Sequence, residues 1–291
     1  MAFLINWNYQ GNGIKIAEIL DKGPLKKANT KAKEGIIIEK VNGQLLNATE
    51  DIWKFFNHLN DKPTLLSYFD PTNNQRWDEV VKPITIGEEY QLLYERWVKN
   101  CEKTVEKLSK GEIGYTHVRG MNSSSFRQVY SDVLGKNAHK KALIVDTRFN
   151  GGGWLHDDLA TLLSGQVYVT YWPRGVKMGW DPMGRWTKPS AVIMSESNYS
   201  DAHAFPYVYK TLKIGKLIGM PVPGTMTAVW WEQLHDGELV FGIPEVGSKD
   251  LNGNYLENHQ LEPDIRQPNE YEKAVTGEDQ QLEKAVEELM K

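Results

Sequence analysis

A chain of 291 residues, 40% hydrophobic and 25% charged, suffices for one large domain or two ordinary ones, and two is the expected number. Its net charge of −4 arises from interspersed acidic and basic residues, which excludes a basic nucleic-acid face and a polyacidic tail. The single Cys101 can form no internal disulfide, no Cys/His cluster has zinc spacing, and no apolar run approaches the roughly 18 residues of a membrane-spanning helix, so no metal or membrane span is expected.

In chain order, Met1-Ala2-Phe3-Leu4-Ile5 has no basic n-region and no cleavage site; it reads as an interior strand entered midway rather than a signal peptide. Strand-like runs follow at Gly13 to Ile16, Ile36 to Val41 and Thr64 to Phe69, separated by turn signals such as Lys22-Gly23-Pro24 and Val41-Asn42-Gly43, so a small β-rich module is expected up to residue 87. Residues 88 to 110 carry Tyr90, Leu93, Trp97, Val105 and Leu108 near helical spacing, with Gly111 as a stop, and predict a connecting helix. Beyond it the pattern alternates: strands at Ile113 to Val118, Ala142 to Asp146, Val167 to Tyr171, Ala191 to Met194 and Leu217 to Met220, with helices from about Ser124 to Leu134, after Gly153, and through Lys210. Such alternation argues for an α/β domain with a mostly parallel sheet.

Three stretches of the second module carry candidate chemistry. RFNGGGW, residues 148 to 154, follows a buried strand; its glycines let backbone approach a ligand and aim N–H groups at an anion, or simply make a tight turn. The Gly-Lys-Ser/Thr of a phosphate loop is missing, which disfavours a nucleotide site. NYSDAHAFPY, residues 198 to 207, sets Ser200 and Asp201 at a strand-to-helix corner, where either could cap the helix; taken alone, the cap is the better reading. LENHQLEPDI, residues 256 to 265, is an acidic loop before a last strand.

KGPLKKANTKAKEGIIIEKVNG, residues 22 to 43, resembles a PDZ domain of the bacterial protease kind, departing from it at Ile36, where an Asp is usual. The resemblance implies binding of extended peptides by strand addition. Together, RFNGGG, SNYSDAHAFP and LENHQLEPDI resemble the carboxyl-terminal half of the tricorn protease family, serine peptidases related to the tail-specific processing proteases, and the likeness runs over nearly the whole chain. It implies an α/β (α+β) architecture: a PDZ-like domain at 1–87, a connecting helix at 88–110 and a crotonase/ClpP-like peptidase domain at 111–291.

The same resemblance implies Ser200 as nucleophile, the N–H groups of Asp201 and Gly153, with Gly152 as the alternative, as the oxyanion hole, and Glu257 orienting the base. In that family the histidine base precedes the PDZ domain, in a Ser-His or Thr-His pair, so this chain is expected to be an inactive piece of an active enzyme. Among the seven histidines, His117 in Tyr115-Thr116-His117 imitates that pair; His203 lies one turn after Ser200 and His259 two residues after Glu257. The implied partner is a short peptide or unfolded protein, with no cofactor, metal, nucleic acid or membrane; a homo-oligomer is left open, and the bacterial periplasm is preferred over the cytoplasm. A basic preference before the scissile bond would need an acid after the glycine turn, and none occurs between Tyr168 and Asp181, so apolar side chains are expected. Two rival readings stand beside this one. A crotonase-like acyl-CoA enzyme shares the Gly-Gly turn but not the Ser-Asp corner or the PDZ-like module, and a non-catalytic peptide-binding pseudo-peptidase would also lack a base.

Overall fold

In the computed structural model, which describes residues 1–291, the chain divides into two units, Met1–Asn100 and Cys101–Lys291. The first is built from β1 (Phe3–Ile5), β2 (Ile14–Ile19), the short α1 (Pro24–Lys27), β3 (Ile37–Val41), β4 (Gln44–Leu45), β5 (Thr64–Asp70) and β6 (Gln75–Val81). These form one antiparallel sheet in the order β1-β2-β3-β5-β6, with β4 paired to β3. Alternation explains it: in β5, Thr64, Leu66, Tyr68 and Asp70 point inward and are buried while Leu65 is exposed. Leu66 and Tyr68 join Ile14, Ile16, Ile38 and Val81 in this unit's core.

Helix α2 runs Ile86–Leu108, beginning two residues before the predicted start. The second unit continues with β7 (Ile113–His117), α3 (Ser123–Ser131), β8 (Ala142–Asp146), α4 (His156–Leu163), β9 (Val169–Tyr171), β10 (Gly179–Asp181), β11 (Ser190–Met194), α5 (Asp201–Thr211), β12 (Lys216–Gly219), β13 (Ala228–Gln233), β14 (Val240–Val246), β15 (Ile265–Arg266), α6 (Tyr271–Ala274) and α7 (Gln280–Leu289). Its main sheet is wholly parallel, in the order β15-β12-β11-β8-β7. Every residue of β7, β8 and β11 is buried, as a parallel sheet covered on both faces requires; the near-continuous apolar runs of β8 and β11 suit this, and the polar Thr116, His117 and Asp146 fall at the carboxyl ends of β7 and β8.

Alternation along these strands sorts side chains between the two faces. Leu143, Val145, Val192 and Met194 pack with Leu159 and Leu162 of α4 and Ala202, Phe205 and Tyr209 of α5. Asp146, one residue on from Val145, faces the other way and receives the Tyr115 hydroxyl at 3.0 Å. Helix α7 lies against β8, β11 and β12. The alternating pattern did not predict the two hairpins, β9–β10 and β13–β14, which stand apart from the main sheet. Trp230, Trp231, Phe241 and Val246 are exposed on the second of them, where periodic burial leaves no trace to read.

Candidate active site

The strand order puts β8 beside β11, so the loops leaving their carboxyl ends, 147–155 and 195–200, emerge side by side. Asn150 joins them. Its carbonyl accepts from Tyr199 N–H at 3.0 Å, its Oδ1 from Gly152 N–H at 2.8 Å, and its Nδ2 donates to the Val118 carbonyl at 2.7 Å. The buried Asn198 ties the second loop down, its Nδ2 donating to Thr147 Oγ1 at 2.8 Å and to the Ala202 carbonyl at 3.1 Å. Neither asparagine was singled out in the sequence; their only signal was position, Asn150 directly before the three glycines and Asn198 two residues before the serine.

Ser200 occupies the N-cap position of α5 with φ 54° and ψ −121°, and its hydroxyl makes no capping hydrogen bond. The helix-cap reading is therefore corrected: the residue stands at the cap site without doing a cap's work. A left-handed φ costs a non-glycine residue about 1–3 kcal/mol, and such strain gathers at functional sites. Two contacts hold it. Ser200 N–H donates to Thr225 Oγ1 at 3.2 Å, and Gly152 lies so close that a Cβ built there would sit 2.7 Å from Ser200 Cβ and 3.1 Å from Asp201 N.

The two expected oxyanion positions differ. Gly152 N–H is taken by Asn150 Oδ1, so Gly152 is a spacer and not a donor, which corrects the alternative assignment. Neither Gly153 N–H nor Asp201 N–H donates to any protein acceptor. Gly153 has φ 138° and a Cβ there would fall 2.0 Å from the Met121 carbonyl oxygen, so only glycine fits; flanking bonds from Met121 N–H to Gly152 O and from Trp154 N–H to Met121 O fix its plane.

Asp201 has a further task that the sequence did not disclose. Its buried carboxylate does not cap α5 but crosses to α4: Oδ2 accepts from Leu155 N–H at 2.5 Å and His156 N–H at 3.1 Å, and Oδ1 lies 2.5 Å from His156 Nδ1. It thereby satisfies the first orphan donors of α4 and locks the glycine turn to the serine corner. The Asp201 hydrogen bond raises the basicity of His156 above that of an ordinary histidine.

Glu257 is half-buried and in no ion pair. Its Oε2 accepts from Met226 N–H at 2.8 Å and Thr227 N–H at 2.7 Å, leaving Oε1 without a protein partner. Two backbone donors clasp one oxygen and hold the carboxylate to the 226–227 segment.

The histidines divide by face and by partner. His117, at the end of β7, shares its sheet face with Tyr115 and Asp146, its Nδ1 4.0 Å from Asp146 Oδ2, whereas α5 packs on the opposite face. Strand alternation therefore turns it away from the Ser200 helix, correcting its candidacy, and burial lowers its basicity. Asp146 in turn is bound by Arg148, whose Nη2 approaches to 2.6 Å and whose Nη1 reaches Asp279, the N-cap of α7, at 2.8 Å. Burial would push Asp146 up, but Arg148 outweighs it and holds the carboxyl below the ordinary aspartate range. His203 is buried, its Nδ1 3.4 Å from Thr225 N–H, and desolvation lowers its basicity. His259 is exposed, with Nδ1 on the Glu257 carbonyl.

Downstream, the acid absent from the 168–172 segment returns in space. Antiparallel pairing of β9 with β10 sets Asp181 opposite Val169, and the Tyr171 hydroxyl donates to its carboxylate. The segment itself carries no acid, as read, but the hairpin sets Asp181 against it.

Comparison with known proteins places the chain among peptidases. A homologous protein of Saccharolobus solfataricus, a tricorn protease homolog, is 28% identical over 279 residues, covering 93% of this chain and 25% of the relative. The tricorn protease of Thermoplasma acidophilum is 25% identical over 261 residues, covering 88% of this chain and 24% of that protein. The chain thus spans about a quarter of the length of these curated relatives. In fold it superposes on the crystal structure of the tricorn protease with a TM-score of 0.84 at 21% identity, over 99% of this chain and 29% of that one. Residues 112–267, which include the glycine turn, the serine corner and the acidic loop, match the model of peptidase family S41, and the chain belongs to that family.

Proposed function

We propose that the protein of which this chain is part is a serine peptidase in which Ser200 attacks the scissile carbonyl of a short or unfolded peptide. The observation that carries this reading is the meeting of two loops at one serine: Ser200 in a strained backbone at a helix N-terminus, with the unpartnered N–H groups of Asp201 and Gly153 on the loops that Gly152 holds together. Attack forms a bond from Ser200 Oγ to the carbonyl carbon, and the oxygen that takes up the π electrons is received by those two N–H groups within the positive field of α5. An imidazole takes the hydroxyl proton and passes it to the leaving amine; water then enters by the same route and frees the acyl group.

That imidazole comes from outside residues 1–291 in this reading. His117, His156 and His203 are engaged by Asp146, Asp201 and Thr225 respectively, and Oε1 of Glu257 is the acceptor that would fix the incoming tautomer. The PDZ-like first unit would handle extended peptide. Residues 1–291 alone should fold yet turn over peptides only at trace level, since general-base assistance is worth about 10² to 10⁴ in rate. The test compares this chain, the full-length protein and its Ser200→Ala variant against fluorogenic peptides and a fluorophosphonate probe. Labelling and turnover by the full-length protein, abolished in Ser200→Ala, are expected. Turnover by the variant within about tenfold of the parent overturns the assignment, and a full-length protein inert to both is a pseudo-peptidase.

A further inference from the structure

We infer that Thr225 is a positioning residue: its hydroxyl holds the Ser200 backbone in its strained conformation, and the loop it stands on binds both the serine and Glu257. The inference rests on the reading of Ser200 as nucleophile. Four consecutive residues are involved. Gly224 seats the loop on the acid-bearing segment, where a Cβ would lie 2.2 Å from His259 N and where its carbonyl accepts from Asn258 N–H at 2.8 Å. Thr225 Oγ1 then accepts from Ser200 N–H at 3.2 Å, and the next two N–H groups, of Met226 and Thr227, grip Glu257 Oε2 at 2.8 and 2.7 Å.

The loop has its own support on the α5 side. Thr225 N–H reaches Pro223 O at 2.9 Å and His203 Nδ1 at 3.4 Å, and His203 lies within the first turn of the helix that Ser200 begins. A serine whose φ is 54° would relax if its N–H lost its acceptor, and relaxation carries Cβ and Oγ away from the line of attack. Because Thr225 touches no reacting atom, its effect must pass through Ser200. The buried His203 acquires a purpose here that requires no proton transfer: it orients Thr225.

In the full-length protein, Thr225→Val removes the acceptor at nearly constant volume, and Thr225→Ser keeps it. The expected result is a kcat at least about tenfold lower for Thr225→Val with KM changed less than about twofold, and restoration to within about threefold by Thr225→Ser, since misplacement near an ångström costs on the order of 10². Amide exchange at Ser200 should quicken by about tenfold or more in Thr225→Val alone, a reading that needs no turnover. Unaltered kcat in Thr225→Val, or an equal loss in the Val and Ser variants, overturns the inference. A Ser200→Ala control separates the two levels: turnover surviving in it overturns the nucleophile and this inference with it, whereas a dead Ser200→Ala beside a fully active Thr225→Val overturns Thr225 alone. Should Thr225→Val fail to fold by circular dichroism, Thr225→Ala removes the same acceptor and takes its place.

Discussion

Replacing Gly152 with alanine tests whether the glycine turn and the serine corner form one machine. The new Cβ would stand 2.7 Å from Ser200 Cβ, 2.8 Å from the Tyr199 carbonyl oxygen and 3.1 Å from Asp201 N, two of the three being backbone atoms that cannot swing aside. Carbon atoms rest at about 3.5 Å, so the serine must retreat by about 0.8 Å, the difference from 2.7 Å. A shift near that size at a reacting group costs on the order of 10² in rate, or about 2.7 kcal/mol of transition-state stabilisation. Alanine at φ 94° adds strain of about 1–3 kcal/mol to the folded state, which lowers Tm by about 2–4 °C per kcal/mol in a unit of this size. The assay is peptide hydrolysis by full-length protein, with melting followed in parallel, and Gly151→Ala as the control, since no atom lies within 4 Å of a Cβ there and its φ is unremarkable. Gly151→Ala should be neutral. A Gly152→Ala protein that melts lower but keeps kcat within about twofold of the parent refutes the coupling of the two loops.

The Asp201–His156 pair makes a pH-dependent contribution. Its hydrogen bond raises the folded-state basicity of His156, so the stabilisation is fully present below about pH 6.5, the unfolded value, and is lost as pH rises through the higher folded value. The Tm difference between the parent and His156→Ala should therefore shrink from acid to alkaline pH; a constant difference would show that the charge of the imidazole is immaterial. Arg148→Met leaves the fully buried Asp146 uncompensated and should cost about 3–5 kcal/mol in urea unfolding, whereas a loss below about 1 kcal/mol would show that Tyr115 and the surrounding groups suffice.

What the chain announces in one dimension is whatever is written locally. Buried runs such as Ala142 to Val145 and Ala191 to Met194 declare strands because a parallel sheet covered on both faces needs apolar side chains at successive positions. The glycine turn, the Ser-Asp corner and the acidic loop are each short enough to read as motifs, and the strand-turn-helix pattern puts the first two at carboxyl strand ends. Tertiary structure decided everything that depends on which side chain faces which. Side-chain parity along β7 turned His117 toward Asp146 and away from α5, although its sequence neighbours imitate a catalytic pair. Asp201, legible as a backbone donor or a cap for its own helix, proved to bind the start of α4, because β8 and β11 pair in parallel, with Ile193 beside Asp146, and bring their carboxyl-terminal loops together although 46 positions of chain separate Leu155 from Asp201. Thr225 carried no local signal at all. Its place under Ser200 follows from a hydrogen bond across 25 positions of chain, and such a bond depends on the path of the backbone between its ends, which composition and periodicity do not encode.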